Sequence, residues 1–141
     1  MKKHTKEVSI LLIEDDDIDA KAVERVAKKL KLTNPVVRAT NGAEALEILH
    51  NKELIVKPYI IFLDLNMPIM GGLEFLKNIR QDDHLRDSII FVLTTSAADE
   101  DRVAAYSENI AGYIVKSDVQ GEFDKVLKML DYYWHIVRLP D

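Results

Sequence analysis

The chain has 141 residues, a length typical of one domain that can bury a sizeable core. It is 48% hydrophobic and 30% charged, and its net charge of -5 argues against a nucleic-acid partner, because phosphate binding requires a basic surface. The absence of cysteine excludes disulfides and thiolate metal sites. Since no apolar run is long enough for a signal peptide or a membrane span, we expect a cytoplasmic protein with no membrane partner.

Short apolar runs alternate with amphipathic segments along the chain. The run VSILLI at 8–13 predicts a buried strand, and the next segment, 18–32, has apolar residues at helical spacing. By the same patterns, further strands are predicted at 34–39, 59–64, 88–95 and 112–116, and further helices at 42–51, 72–81, 99–108 and 121–137. This alternation predicts an α/β fold, a doubly wound five-stranded parallel sheet in a single domain.

Polar residues follow four of the predicted strands. They are Glu14 and Asp15 after the first strand, Asp64 after the third, Thr94 at the end of the fourth and Lys116 after the fifth. Ligands of such sheets bind outside the carboxyl ends of the strands. Crowded carboxylates raise one another's pKa, and a divalent cation with oxygen ligands, such as Mg²⁺, relieves this repulsion. With Asp64 as nucleophile and Thr94 and Lys116 beside it, the set suits phosphoryl transfer.

The segments IED, FLDLNMPIMGG, VLTTS and YIVK together resemble the receiver domain of two-component response regulators. The resemblance implies a flavodoxin-like (βα)5 receiver domain over residues 1–141, with a short tail at 1–7 and an aromatic helix extension at 131–141. It implies that Asp64 accepts a phosphoryl group from a sensor histidine kinase. It also implies a stand-alone regulator that is not an enzyme with a separate substrate, and whose output passes through an unidentified downstream protein or a change of oligomer.

The resemblance assigns roles to the other candidate residues. The implied Mg²⁺ ligands are Glu14, Asp15, Asp64 and the backbone carbonyl of Asn66. The residues implied to contact the phosphoryl group or to switch with it are Thr94, Lys116 and Tyr113. Asn66 and Ser96 occupy the positions that tune phosphoryl lifetime in the family.

One position departs from the family pattern. Receiver domains usually have proline after the lysine, often with a cis bond, whereas this chain has Ser117. A cis bond before a residue other than proline costs roughly 3–4 kcal/mol. We therefore expect either a trans bond with a rearranged loop or a strained bond, and a changed output face.

Further features narrow the resemblance. The Lys116-Ser117 pair, the LTTS run and the tail YYWHIVRLP are similar to small response regulators that partner phytochrome-type histidine kinases. The tail carries many large apolar groups for a chain end, which indicates a partner surface. We expect a homodimer through this helix and tail, with contacts from Tyr133, Trp134, Val137 and Leu139.

Other interpretations of these residues stay open. Asp16 or Asp17 is a candidate helix cap rather than a ligand. A phosphatase with an aspartate nucleophile needs a second acid two residues later, where this chain has Asn66. A flavin site needs a phosphate-binding loop after the first strand, where this chain has EDDD. The third alternative is a receiver-like adaptor that acts without phosphorylation.

Overall fold

The computed structural model describes residues 7–32, 34–119 and 123–140. Its strands are Ser9–Ile13 (β1), Val36–Ala39 (β2), Tyr59–Leu63 (β3), Ile89–Thr94 (β4) and Gly112–Val115 (β5). Its helices are Asp17–Lys29 (α1), Gly42–Leu49 (α2), Gly72–Gln81 (α3), Asp99–Ser107 (α4), Lys116–Val119 (α5) and Phe123–Ile136 (α6). All strand pairs are parallel, in the order β2-β1-β3-β4-β5. The predicted five-stranded doubly wound fold is confirmed.

The sheet divides the core into two layers. Because side chains alternate along a strand, Leu11 and Ile13 of β1 face the layer covered by α2, α3 and α4. Ile10 and Leu12 face the layer covered by α1 and α6. The continuously apolar strands β1 and β3 are buried at every position, as expected for parallel strands covered on both faces.

The first helix begins at a cap that also shapes the loop after β1. The side chain of Asp16 accepts hydrogen bonds from the backbone N–H groups of Ile18 and Asp19. These N–H groups have no partner within the helix, so the cap satisfies them. Of the two candidate caps, Asp16 is therefore the one that begins α1.

The strand order places a crevice between the ends of β1 and β3. The connection from β1 runs outward to β2, and the chain then returns to the other side of β1 to form β3. A crevice opens at such a reversal in strand order, outside the carboxyl ends of the strands. Glu14 directly follows β1 and Asp64 directly follows β3, so both acids lie at its mouth.

The chain leaves β5 through a single helical turn. Lys116 begins this turn, α5, which ends at Val119 and was not predicted from the sequence. Among the described residues the cis peptide bond is Lys57–Pro58, so the Lys116–Ser117 bond is trans. The rearranged loop, one of the two forms expected from Ser117, is the form observed.

The C-terminal helix covers the sheet and leaves one side exposed. Trp134 is buried in the layer beneath α6, and Leu139 packs against the same layer. Tyr133 stacks edge-on against Phe91 at a centroid distance of 5.6 Å. Three of the four predicted dimer residues thus pack within the protomer, namely Tyr133, Trp134 and Leu139. Val137, the fourth, has an exposed side chain.

Some predicted features lie outside the described residues. They are positions 1–6 of the predicted tail, the predicted helix start at Gly121 and the last residue, Asp141. Of the helices that the structure describes, none combines the length and apolar character required to cross a membrane.

The loop after β3 contains one strained residue. Ile69 has a φ of 64° and an exposed side chain. A β-branched residue is disfavoured in this left-handed conformation, whereas asparagine tolerates it. We expect Ile69→Asn to raise the free energy of unfolding by about 1 kcal/mol, measured by urea denaturation.

The matched control is Ile18→Asn, because Ile18 is also exposed but lies in the ordinary helical backbone of α1. That substitution should leave stability within about 0.5 kcal/mol. A loss of stability in the Ile69 variant would show that the isoleucine side chain contributes more than its backbone conformation costs.

Candidate functional site

Three carboxylates gather at the mouth of the crevice. Glu14, Asp15 and Asp64 each offer an oxygen, and these oxygens all lie within 4.8 Å of one another. Glu14 and Asp64 are only 3% and 5% exposed, whereas Asp15 is exposed to solvent. Like charges at this separation repel, so a cation would stabilise the arrangement.

Lys116 supplies part of that positive charge. Its Nζ donates to Glu14 Oε1 at 2.7 Å, to Asp19 Oδ2 at 2.7 Å and to Asp64 Oδ2 at 3.3 Å. Burial alone would lower the pKa of Lys116, but the hydrogen bonds to Asp19 and Glu14 outweigh it, so its pKa is raised. The lysine is therefore a permanently charged member of the site.

Opposing effects act on the pKa of the Glu14 carboxyl group. Burial raises the pKa of Glu14 from 4.5 to about 7, although the hydrogen bond from Lys116 acts in the opposite direction. The charge of Asp64 adds to the increase. One ammonium group thus does not fully offset the cost of burying these acids, and a further cation would reduce that cost.

Asp64 is held by donors from two loops. Thr94 Oγ1 donates to Asp64 Oδ1 at 2.8 Å, and the backbone N–H of Asn66 donates to the same oxygen at 3.1 Å. Thr94 is completely buried at the end of β4, the neighbour of β3. Sheet register therefore brings the Thr94 hydroxyl to the Asp64 carboxylate.

The side chains at the two predicted tuning positions point to other partners. Asn66 Nδ2 donates to Thr95 Oγ1 at 3.3 Å, which links the loops after β3 and β4. Ser96 Oγ donates to Asp101 Oδ2 at 2.6 Å, which ties the second loop to α4. The effect of either residue on phosphoryl lifetime stays a prediction.

Tyr113 contacts the loop that carries Ser96. Its hydroxyl donates to the Ser96 carbonyl at 2.9 Å, and burial raises the pKa of Tyr113. The backbone N–H of Ser96 donates in turn to Thr94 Oγ1 at 3.3 Å. A hydrogen-bonded path thus connects Asp64 with β5 through Thr94, the residue bonded directly to the carboxylate.

The acidic cluster fits a divalent cation. Its three carboxylates offer oxygen ligands only, the type that Mg²⁺ and Mn²⁺ accept. Asp15, the exposed member, lies where a hydrated ion can approach from solvent. The predicted contribution of the Asn66 carbonyl remains a prediction.

Two residues near the site were not found by sequence reasoning. Asp19 was missed because it lies in the first turn of α1, where acids are common and do not by themselves indicate a site. Arg38 donates through Nε to the Glu14 carbonyl at 3.0 Å and through Nη1 to Asp17 at 2.7 Å. Arg38 therefore fixes the loop that carries the acidic pair, and no pattern in the sequence indicated this contact.

The fold and this constellation together define a receiver domain. The response regulator receiver domain family matches residues 10–128, and the chain belongs to that family. The chain is similar to the response regulator Rcp1 of Synechocystis sp., with 31% identity over 135 residues, which cover 93% of this chain and 92% of Rcp1. It is also 31% identical over 127 residues to the probable methanogenesis regulatory protein FilR2 of Methanothrix harundinacea, covering 89% and 82% of the two chains.

Solved structures agree with the sequence comparison. The Mn²⁺-bound form of Rcp1 superposes with a TM-score of 0.82, at 31% identity, over 96% of this chain and all of that one. The phosphorylated cyanobacterial phytochrome response regulator RcpA gives the same TM-score and the same coverage at 26% identity. The protein is thus a receiver-domain response regulator that resembles small phytochrome response regulators.

Metal binding should stabilise the folded protein. We expect saturating Mg²⁺ to raise the melting temperature. A ligand that binds only the folded protein, at a free concentration of 100 times its dissociation constant, stabilises the fold by about 2.7 kcal/mol. Asp15→Asn should remove most of this increase, measured by differential scanning calorimetry with and without EDTA. Glu24→Gln is the matched control, since Glu24 is an exposed acid of α1 that lies outside the cluster. Equal increases in both variants would exclude Asp15 as a ligand.

Proposed function

We propose that this protein accepts a phosphoryl group from a sensor histidine kinase onto Asp64 and transmits the change through its surface. The observation that supports this most strongly is the environment of the Asp64 carboxylate. It is buried and accepts hydrogen bonds from Lys116, Thr94 and a backbone N–H, so the carboxylate is oriented at a position where it can act as a nucleophile.

In the proposed step, an oxygen of Asp64 attacks the phosphorus of a phosphohistidine. The new O–P bond forms as the P–N bond breaks, and the imidazole leaves with the electron pair and takes up a proton. Lys116 compensates charge on the transferred group, and Thr94 donates to one of its oxygens. Mg²⁺, held by Glu14, Asp15, Asp64 and the Asn66 carbonyl, would neutralise charge on the same group when bound.

The response would then pass from the site to the neighbouring elements β5 and α4. Thr94 would exchange its bond with the Asp64 carboxylate for one with a phosphoryl oxygen. Its other partner is the N–H of Ser96, whose carbonyl accepts from Tyr113. A shift of Thr94 would therefore alter the contacts of β5 and α4. A local change of charge at Asp64 would in this way have an effect beyond the site.

We propose that the kinase is of the phytochrome type, since the chain resembles RcpA, which is described as a phytochrome response regulator. To test this, radiolabelled histidine kinases from the same organism would be mixed with the protein and Mg²⁺, with Asp64→Asn as the control. Rapid transfer from a phytochrome-type kinase is expected. Transfer from another kinase would refute the partner, and a failure of every kinase would favour an adaptor that acts without phosphorylation.

We propose further that the protein is not an enzyme with a separate substrate. The residue two positions after Asp64 is Asn66, whose amide cannot protonate a leaving group. The only turnover expected is loss of the aspartyl phosphate by hydrolysis. We also propose that the protein is located in the cytoplasm, because sensor histidine kinases present their phosphohistidine on the cytoplasmic side of the membrane.

A second copy of this chain is the other proposed partner. On the outer side of α6, Tyr132 and Ile136 are 72% and 73% exposed and lie one turn apart, next to the exposed Val137. Together they form an apolar surface of the kind that pairs with itself in two-fold dimers. Sedimentation should show a dimer at micromolar concentration that Ile136→Asp disrupts, and a monomeric wild-type profile would contradict the proposal.

A further inference from the structure

The acidic residue Asp19 binds the lysine of the site. Asp19 Oδ2 accepts from Lys116 Nζ at 2.7 Å, the same length as the bond to Glu14 and shorter than the 3.3 Å contact with Asp64. The Asp19 side chain is 30% exposed, so it lies at the rim of the site rather than beneath it. The strongest contacts of the ammonium group are therefore not with Asp64.

The donors of Lys116 are fully used in this arrangement. An ammonium group has three N–H donors and no acceptor, and here the three donors reach Glu14, Asp19 and Asp64. A phosphoryl group on Asp64 would need one of them. Because Asp19 and Glu14 hold Lys116 at short distance, the donor facing Asp64 is the weakest of the three.

We propose that Asp19 is a positioning residue that draws Lys116 away from Asp64 and thereby limits the amount of aspartyl phosphate. This inference rests on the proposed phosphorylation of Asp64. Asp19 itself touches neither the carboxylate of Asp64 nor the reacting phosphorus. It acts through Lys116, whose position decides how well charge on the phosphoryl group is compensated.

The helix that carries Asp19 gives this contact its geometry. Asp16 caps α1 and bonds the backbone N–H of Asp19 at 3.1 Å, so the first turn is held in register. The ammonium group of Lys116 comes from the other end of the chain, where α5 begins. The ion pair thus links the start of α1 with the turn after β5.

Removing the charge of Asp19 should make Lys116 more available to Asp64. With acetyl phosphate below saturation and Mg²⁺ present, Asp19→Asn should raise the steady-state fraction of aspartyl phosphate about threefold to fivefold, the effect of one partly exposed ion pair. Asp19→Glu restores the charge and should return this fraction towards the wild-type value. A purely structural role for Asp19 would predict no such rescue.

Glu24→Gln is the matched control for the loss of charge. Glu24 is an exposed acid on the same helix, five residues after Asp19 and outside the acidic cluster. This variant should therefore phosphorylate within about twofold of the wild type, as expected when an exposed charge away from the site is removed. If Asp19→Asn gave the same or a smaller fraction of aspartyl phosphate than Glu24→Gln, the proposal would be overturned.

A second readout does not depend on phosphorylation. Ammonium protons in short ion pairs exchange slowly with water, so Lys116 should give an observable ¹H–¹⁵N signal in the protein without phosphodonor. We expect this signal to weaken or disappear in Asp19→Asn and to persist in Glu24→Gln. An unchanged signal in Asp19→Asn would overturn the inference alone, whereas a wild type that is never phosphorylated would overturn the proposed function and the inference with it.

Discussion

Lys116→Met should destabilise the protein by about 3 kcal/mol in the absence of divalent cations, the lower end of the range for breaking a buried ion pair. The substitution keeps most of the side-chain volume but removes the only cation that, among the described residues, touches the side-chain carboxylates of Glu14 and Asp64. Both carboxylates are buried, so neither can replace the lost partner with bulk water. Urea denaturation at pH 8 in EDTA measures the loss.

A second substitution shows whether the loss of stability in Lys116→Met comes from unpaired charge or from changed packing. If unpaired charge is the cause, Asp64→Asn in the Lys116→Met background should recover part of the lost stability, because one buried carboxylate is removed. Saturating Mg²⁺ should also reduce the loss. Equal stability of Lys116→Met and the wild type would show that the acids are protonated or hydrated in the folded protein.

Gly72→Ala should have a comparably large effect through packing. A Cβ at Gly72 would lie 2.6 Å from the Cα of Leu65 and 2.7 Å from the backbone oxygen of Asp64. Neither backbone atom can give way without moving the loop that carries Asp64. We expect a loss of about 3 kcal/mol, the upper end of the usual range for overpacking, together with weaker phosphorylation.

The neighbouring glycine provides the control. A Cβ at Gly71 would meet its nearest atom, the Leu65 carbonyl oxygen, at 3.5 Å, and the φ of Gly71 is -74°. Gly71→Ala should therefore change the free energy of unfolding by no more than about 0.5 kcal/mol. Similar losses in both variants would point to a general intolerance of this turn rather than to the close approach at Gly72.

The sequence predicts the sheet well because its signals are local and strong. The apolar runs that form β1 and β3 are continuous and bounded by acids, so both their type and their ends could be predicted. The convergence of Glu14, Asp64, Thr94 and Lys116 follows from parallel topology alone. The computed structure brings these four side chains together as expected.

Other features depend on contacts between distant segments. The ion pair between Asp19 and Lys116 joins residues 97 positions apart, and no local pattern distinguishes Asp19 from other acids on an exposed helix turn. The burial of Trp134 depends on how α6 packs against the sheet. The sequence of the aromatic tail therefore does not show which of its residues face the sheet and which face solvent. The helical turn after β5 is too short to produce a periodic signal.

Phosphorylation of Asp64 can be tested directly. The wild type and Asp64→Asn would be incubated with acetyl phosphate and Mg²⁺, the acyl phosphate reduced with borohydride, and the modified residue located by mass spectrometry. We expect a modification at Asp64 of the wild type that EDTA abolishes, and none in the variant. An unmodified wild type, or a modification at another residue that persists in Asp64→Asn, would contradict it.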